Sequence, residues 1–170
     1  MKFVINIERC IDCGGCWVAC KQANDVDEEI QRIRIVTVDE GVAGEKSIPV
    51  PCMHCSQPAC MNVCPGEAIS KRSDGIVLVD QSKCIGCRYC NMVCPFGSPQ
   101  FKESGSKMNK CTYCVERIDA GLRPACGIFC STKALYVGKS ESDIDSHATK
   151  IGARKLVEIT DPDVYIKGNI

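Results

Sequence analysis

Cysteine is the residue through which this chain can do chemistry. Sixteen cysteines in 170 residues fall into four groups of four: Cys10, Cys13, Cys16 and Cys20; Cys52, Cys55, Cys60 and Cys64; Cys84, Cys87, Cys90 and Cys94; Cys111, Cys114, Cys126 and Cys130. The first and third groups read C-x2-C-x2-C-x3-C, the second widens one gap to x4 and the fourth widens it to x11. Thiolates are soft ligands, and a [4Fe–4S] cubane needs one at each of its four irons. A C-x2-C-x2-C loop can curl around one face of a cube and supply three ligands. The fourth cysteine, expected at the start of a helix pointing away, is then left to reach a neighbouring cube. Sixteen thiolates make four such cubes with none left over.

Zinc and disulfides are the competing uses of cysteine. Zinc sites of the four-thiolate type use two C-x2-C hooks around a spacer, which triple runs repeated along the chain match poorly. Disulfide frameworks belong to oxidising compartments. The opening MKFVINIERC has no extended apolar stretch or cleavage site, and no run approaches transmembrane length. The expectation is a cytoplasmic protein without a membrane span, with export of the folded chain on a partner's signal as the alternative. Lys and Arg balance Asp and Glu at 21 each. Sixteen thiolates and four oxidised cubane cores bring the loaded protein to about −8. That balance argues against nucleic acid, which needs a positive surface, and suits docking to protein. Aromatics are only 5% of the residues, so inorganic cubes would fill much of the interior. The apo form is expected to be unfolded or molten.

Short elements must hold these loops. Phe3 to Ile7 alternates and reads as a strand, as do Arg32 to Val38 and Ser47 to Val50 around turn signals at Gly41 and Gly44. The insert between Cys20 and Cys52 is thus a hairpin, with a short helix or loop near Asn24 to Ile30. Asp74-Gly75 marks a turn before a strand from Ile76 to Val79, and Ala134 to Val137 is an analogous strand after the last group. Cysteine loop, short helix and strand form the internal repeat. Ser140 caps a helix, with Asp143 at the capping-box position. Lys155 to Ile159 reads as a strand, and 161–170 as a tail over the surface or a partner, or loose.

Other residues bear on the cubes. Pro65 and Pro95 follow Cys64 and Cys94 and fix the turn. Gly14, Gly15 and Gly86 allow close backbone approach to sulfur. Lys21 and Arg88 either offset cluster charge or are solvated. Trp17 reads as packing, and Tyr89, Phe96, Phe101 and Tyr113 as apolar walls. His54 supports the cubes without ligating, since thiolates fill every slot.

The stretches Cys10 to Lys21, Cys52 to Ile69, Cys84 to Gly97 and Asn109 to Leu135, the last with its C-x2-C-x11-C spacing, are similar to the four-cluster ferredoxin-like subunits of molybdopterin or tungstopterin oxidoreductases. These serve dimethyl sulfoxide reductase, formate dehydrogenase, polysulfide reductase and formate-dependent nitrite reductase. Small relatives accompany hydrogenases and tungsten aldehyde oxidoreductases. The resemblance covers about residues 3–137 and implies an α+β fold of two pseudo-symmetric bacterial two-cluster ferredoxin-like lobes, with short strands and helices around four cubanes. Lobe one would comprise 1–50 and 100–137, lobe two 51–99, and 138–170 a C-terminal extension packed on the surface or a partner. It also implies four ligand sets: Cys10, Cys13, Cys16 and Cys130; Cys20, Cys111, Cys114 and Cys126; Cys52, Cys55, Cys60 and Cys94; Cys64, Cys84, Cys87 and Cys90. The cubes would run in that order, the first nearest the catalytic partner. Ser131 stands where the family usually has proline after its last cysteine.

The function implied is a non-catalytic electron-transfer subunit, relaying single electrons to or from a tungsten or molybdenum pterin subunit of the aldehyde or formate oxidoreductase type. A flavin-containing or other electron-accepting subunit, and further copies of this protein, are additional candidate partners. A free polyferredoxin or hydrogenase-associated carrier and a metalloenzyme maturation accessory protein are the alternatives. No nucleotide fingerprint, Walker loop or HExxH motif points to an autonomous enzyme.

Overall fold

A computed structural model describes residues 2–105, 107–138, 140–152, 154–155 and 160–168. Its main sheet has the order β6-β1-β8-β7. Strand β1 (Phe3–Asn6) pairs antiparallel with β6 (Leu135–Val137), Phe3 opposite Val137. On its other side β1 runs parallel to β8 (Val164–Lys167), Phe3 opposite Val164. Strand β7 (Arg154–Lys155) completes the sheet beside β8. All four residues of β1 are buried. A strand covered on both faces needs no polar alternation, and F-V-I-N supplies three apolar side chains in a row.

The expected first strand ends one residue early, because Ile7–Arg9 form a 3-10 turn capped by the Asn6 side chain. The next helix, α1, spans Gly15–Asn24, so Cys16 lies in its first turn and Cys20 four residues on, well inside it. The spacing predicts a helix that starts at the fourth cysteine. Here the helix begins around the third instead, because left-handed Gly14 (φ 69°) turns the chain into it. Residues 25–33 carry no second helix.

The predicted hairpin is present. Strands β2 (Arg34–Val38) and β3 (Lys46–Val50) pair antiparallel, with Val36 opposite Ile48. A second hairpin, β4 (Ile69–Lys71) with β5 (Val77–Val79), turns at the expected Asp74-Gly75, and the Gly75 N–H donates to the Arg72 carbonyl at 2.9 Å. Four short helices follow the hairpins and cysteine turns along the chain, α2 (Ala59–Asn62), α3 (Tyr89–Val93), α4 (Val115–Asp119) and α5 (Ala125–Phe129). Helix α1 packs on α5, and α2 on α3.

Helix α6 (Glu141–Ile151) starts at Ser140, whose hydroxyl accepts the Asp143 N–H at 3.2 Å, in line with the sequence signal. The Asp143 carboxylate takes the Tyr136 hydroxyl at 2.7 Å, tying the helix to β6. Ile144 and Ala148, four residues apart on one face, are buried as α6 packs on β1. Most of the strand expected over Lys155 to Ile159 lies outside the described residues. The stretch read as a tail supplies β8, a strand inside the sheet, with Val164 fully buried.

Candidate iron-sulfur centres

The four cysteine groups share a backbone device. In each C-x2-C turn the residue just before the second cysteine has a left-handed φ: Asp12 at 52°, His54 at 42°, Gly86 at 72° and Tyr113 at 59°. In the first and third groups the residue after that cysteine repeats it, Gly14 at 69° and Arg88 at 66°. Alternation between right- and left-handed conformations turns successive N–H groups to the inside of a loop, a concavity that holds anions. Only glycine adopts this region freely. Its recurrence at Asp, His and Tyr means that the surrounding structure holds these loops in shape.

The thiols gather in groups that mix distant segments. Cys10 and Cys16 lie within electrostatic reach of each other and of Cys130, and Cys10 of Cys13. Cys20 is close to Cys114, and Cys126 to Cys20, Cys111 and Cys114. Cys52 and Cys94 face both Cys55 and Cys60. Cys90 faces Cys64, Cys84 and Cys87. Two cavities repeat the pattern. Cys20, Cys111, Cys114 and Cys126 line one beneath Phe3 and Tyr113. Cys64, Cys84, Cys87 and Cys90 line another, walled by Ile69, Val79, Phe101 and Met108. Electrostatic reach also runs between groups, from Cys126 to Cys16 and from Cys111 to Cys52. Among the described residues no three His, Cys, Asp or Glu side chains converge to hold a single ion. Thiolates around a cubane stand outside a cage rather than meeting at one point.

Donors point at the sulfurs. Backbone N–H groups of Ala68, Met108, Tyr113 and Leu135 donate to Cys64, Cys84, Cys111 and Cys130, each at 3.3 Å. Asn24 Nδ2 donates to the Cys114 sulfur at 3.5 Å and to the Cys20 carbonyl at 2.9 Å. Sequence reasoning does not single out Asn24 as a sulfur donor, though its place four residues after Cys20 puts both on one face of α1.

Burial pushes the thiols of Cys16, Cys20, Cys55 and Cys90 up to about 11 and that of Cys60 to about 12, and raises Cys111 and Cys126 further. Thiolates this deeply buried need a cationic core beside them. The donor set is all sulfur, grouped, buried and supplied with N–H donors, and it fits iron–sulfur cubanes. Cys13 and Cys87 are exposed.

The supporting residues divide. Tyr113 is buried, with its hydroxyl donating to the Lys2 carbonyl, while Phe96 and Phe101 are partly buried. Tyr89 is 54% exposed and walls nothing off. Lys21 turns to the carbonyls of Asp27 and Glu28 at 3.0 and 2.6 Å, and Arg88 lies 5.4 Å over the Phe101 ring. His54 is fully buried, stacked near Phe3 and edge-on to Tyr113.

A family model described as a 4Fe-4S dicluster domain matches residues 45–140. The formate dehydrogenase iron-sulfur subunit of Wolinella succinogenes is 46% identical, over 84% of this chain and 82% of its own length. A component of the anaerobic dimethyl sulfoxide reductase of Escherichia coli is 37% identical over 98% of this chain and 88% of its own length. The thiosulfate reductase electron transfer subunit of Salmonella typhi is 39% identical over 81% and 75%.

Proposed function

This protein belongs to the 4Fe-4S dicluster family of iron–sulfur electron-transfer subunits, and from that premise we propose a non-catalytic relay carrying single electrons through four [4Fe–4S] clusters to or from a catalytic molybdenum or tungsten pterin subunit, of the formate or aldehyde oxidoreductase type. When bound, each cluster supplies a one-electron site. The chain holds, spaces and insulates these sites.

The ligand sets we propose are Cys10, Cys13, Cys16 with Cys130; Cys20 with Cys111, Cys114, Cys126; Cys52, Cys55, Cys60 with Cys94; and Cys64 with Cys84, Cys87, Cys90. The observation that carries this reading is that the second and fourth sets each line one cavity, although their members are far apart in sequence. The electrostatic reach of Cys126 to Cys16 and of Cys111 to Cys52 supports the order first, second, third, and the fourth set then takes the remaining end. Two lobes, 1–50 with 100–137 and 51–99, each taking two sets, follow from that assignment. We place residues 138–170 as a C-terminal extension packed on the surface, supported by the pairing of β8 with β1 and by the Asp163 N–H, which donates to the Met53 carbonyl at 3.2 Å.

Exposed Cys13 lies near exposed Ile11 (64%) in sequence, and exposed Cys87 near exposed Ile85 (70%). Apolar surface around the least buried ligand of each outermost set suits contact with redox partners at both ends. The catalytic subunit belongs at the Cys13 end by family analogy. Among the described residues no helix is long and apolar enough to cross a membrane. A reducing compartment such as the cytoplasm keeps the thiols available for loading.

The test is anaerobic purification with iron and acid-labile sulfide analysis, followed by spin quantification of the fully reduced protein. About sixteen irons per chain and four spins support the reading; half of each would leave only one lobe loaded and overturn it. Copurification of molybdenum or tungsten that survives high salt separates a subunit from a free carrier, and rapid iron loss to a mild chelator would point to a maturation accessory.

A further inference from the structure

Lys110 is 1% exposed, and among the described residues no carboxylate pairs with it. Its Nζ donates to two backbone oxygens, the carbonyl of Val77 and that of Cys111, the latter at 2.9 Å. A lysine ammonium offers three donors and no acceptor, and two of them are met by these carbonyls. Carbonyl dipoles alone are poor compensation for a buried cation, which ordinarily requires an anion nearby. The groups that feel its charge include Cys60 and Cys111. These fall in the proposed second and third ligand sets, the inner pair.

The position is fixed from both sides. Val77 accepts Lys110 through its carbonyl and donates its own N–H to His54 Nδ1 at 3.0 Å. Lys110 comes from the segment just before the last cysteine group, Val77 from the central hairpin, so the ammonium stands where the two halves meet. Cys111 and Cys52 lie within electrostatic reach of each other.

We propose that Lys110 is a potential-setting residue, a fixed positive charge between the two inner clusters that favours their reduced over their oxidised forms. The inference rests on the four-cluster reading above. Reduction adds one negative charge to a site, and a nearby fixed cation in a poorly screened interior stabilises it. The effect falls with distance, so the sets holding Cys60 and Cys111 respond most and the set ending at exposed Cys13 least. Electrons are thereby held more firmly in the middle of the relay than the thiolate ligands alone would hold them.

The experiment is a redox titration followed by low-temperature spin resonance on the anaerobically purified full chain, comparing wild type with Lys110→Met and Lys110→Arg. The inner clusters' signals are identified beforehand by their loss in Cys60→Ser and Cys111→Ser. Iron and sulfide per chain are measured on every sample, and a wild-type deficit there would sink the four-cluster reading separately from this proposal. With full loading, Lys110→Met shifts the midpoints of the two inner clusters to lower potential by more than those of the outer two, and Lys110→Arg restores them. Unmoved midpoints, or an equal shift of all four, overturn the proposal. Should Lys110→Met lose iron, Lys110→Gln keeps a donor without the charge, and midpoints identical to those of Lys110→Arg would overturn it equally.

Discussion

The backbone N–H of Val77 donates to Nδ1 of His54 at 3.0 Å, inside a fully buried pocket. The bond sets the tautomer, leaving the proton on Nε2, because a neutral imidazole has one donor and one acceptor nitrogen. Burial, then the positive charge of nearby Lys110, holds the ring well below the usual histidine range, so it is neutral. His54 also carries a φ of 42°, in the turn between Cys52 and Cys55.

Replacing His54 therefore costs twice. His54→Leu loses the Val77 bond and forces a branched side chain into a left-handed backbone, about 2–4 kcal/mol together. His54→Asn tolerates that backbone better and retains polar atoms. Anaerobic thermal melts followed by visible absorption should rank wild type above Asn and Asn above Leu. Equal midpoints for the two variants would show that the backbone at this position carries no strain.

Gly66 follows Pro65 in the loop after Cys64. A Cβ there would stand 2.8 Å from the backbone carbonyl of Lys83, next to Cys84. The obstacle is main chain, so relief requires the loop carrying Cys84 to move. Gly66→Ala should cost about 1–3 kcal/mol and lower iron content first at the set proposed for Cys64, Cys84, Cys87 and Cys90. Iron analysis and spin resonance showing a full complement with an unchanged spectrum would contradict this.

Val164 is fully buried in β8, opposite Phe3 of β1. Val164→Asp places a carboxylate in an apolar core and should destabilise the protein by at least about 3 kcal/mol, while the conservative Val164→Ile should be tolerated within about 1.5 kcal/mol. Chemical denaturation of both variants reads the difference. A Val164→Asp protein as stable as wild type would mean that β8 is dispensable to the sheet.

Removing iron should abolish the fold. Cys16, Cys20, Cys52, Cys111, Cys126 and Cys130 are themselves part of the main apolar cluster, beside Met53 and Tyr113, and the strands between the cysteine groups are three to five residues long. Such elements cannot hold the loops together without the cross-links that metal supplies. Chelation under denaturant, then exchange into buffer without iron, should leave little fixed tertiary signal in near-ultraviolet circular dichroism. A native-like spectrum of the apo form would show that the sheets suffice.

The sequence is most legible where its signals are local. Alternation from Arg32 to Val38 and from Ser47 to Val50 around glycines marks a hairpin, which forms over Arg34–Val38 and Lys46–Val50, and Ser140 marks the start of α6, because each depends on residues only a few positions apart. The cysteine spacing does the same for the loops. Asn24 and Lys110 are harder to see. Each looks like an ordinary polar residue near a cysteine, and its role depends on a sulfur or a carbonyl brought from elsewhere in the chain.

By itself, then, the order of residues determined the number of thiolates, their spacing in fours and the short elements that frame them. Tertiary structure alone decided that V-Y-I-K near the end runs parallel to F-V-I-N at the start, that α1 begins at Gly15, and that one ammonium group is sealed in at the junction of the halves. The reason is range. Turn and periodicity preferences act over a few bonds, whereas burial of Val164 and Lys110 depends on which surfaces meet after the polypeptide has closed on itself, and nothing in a four-residue window records that.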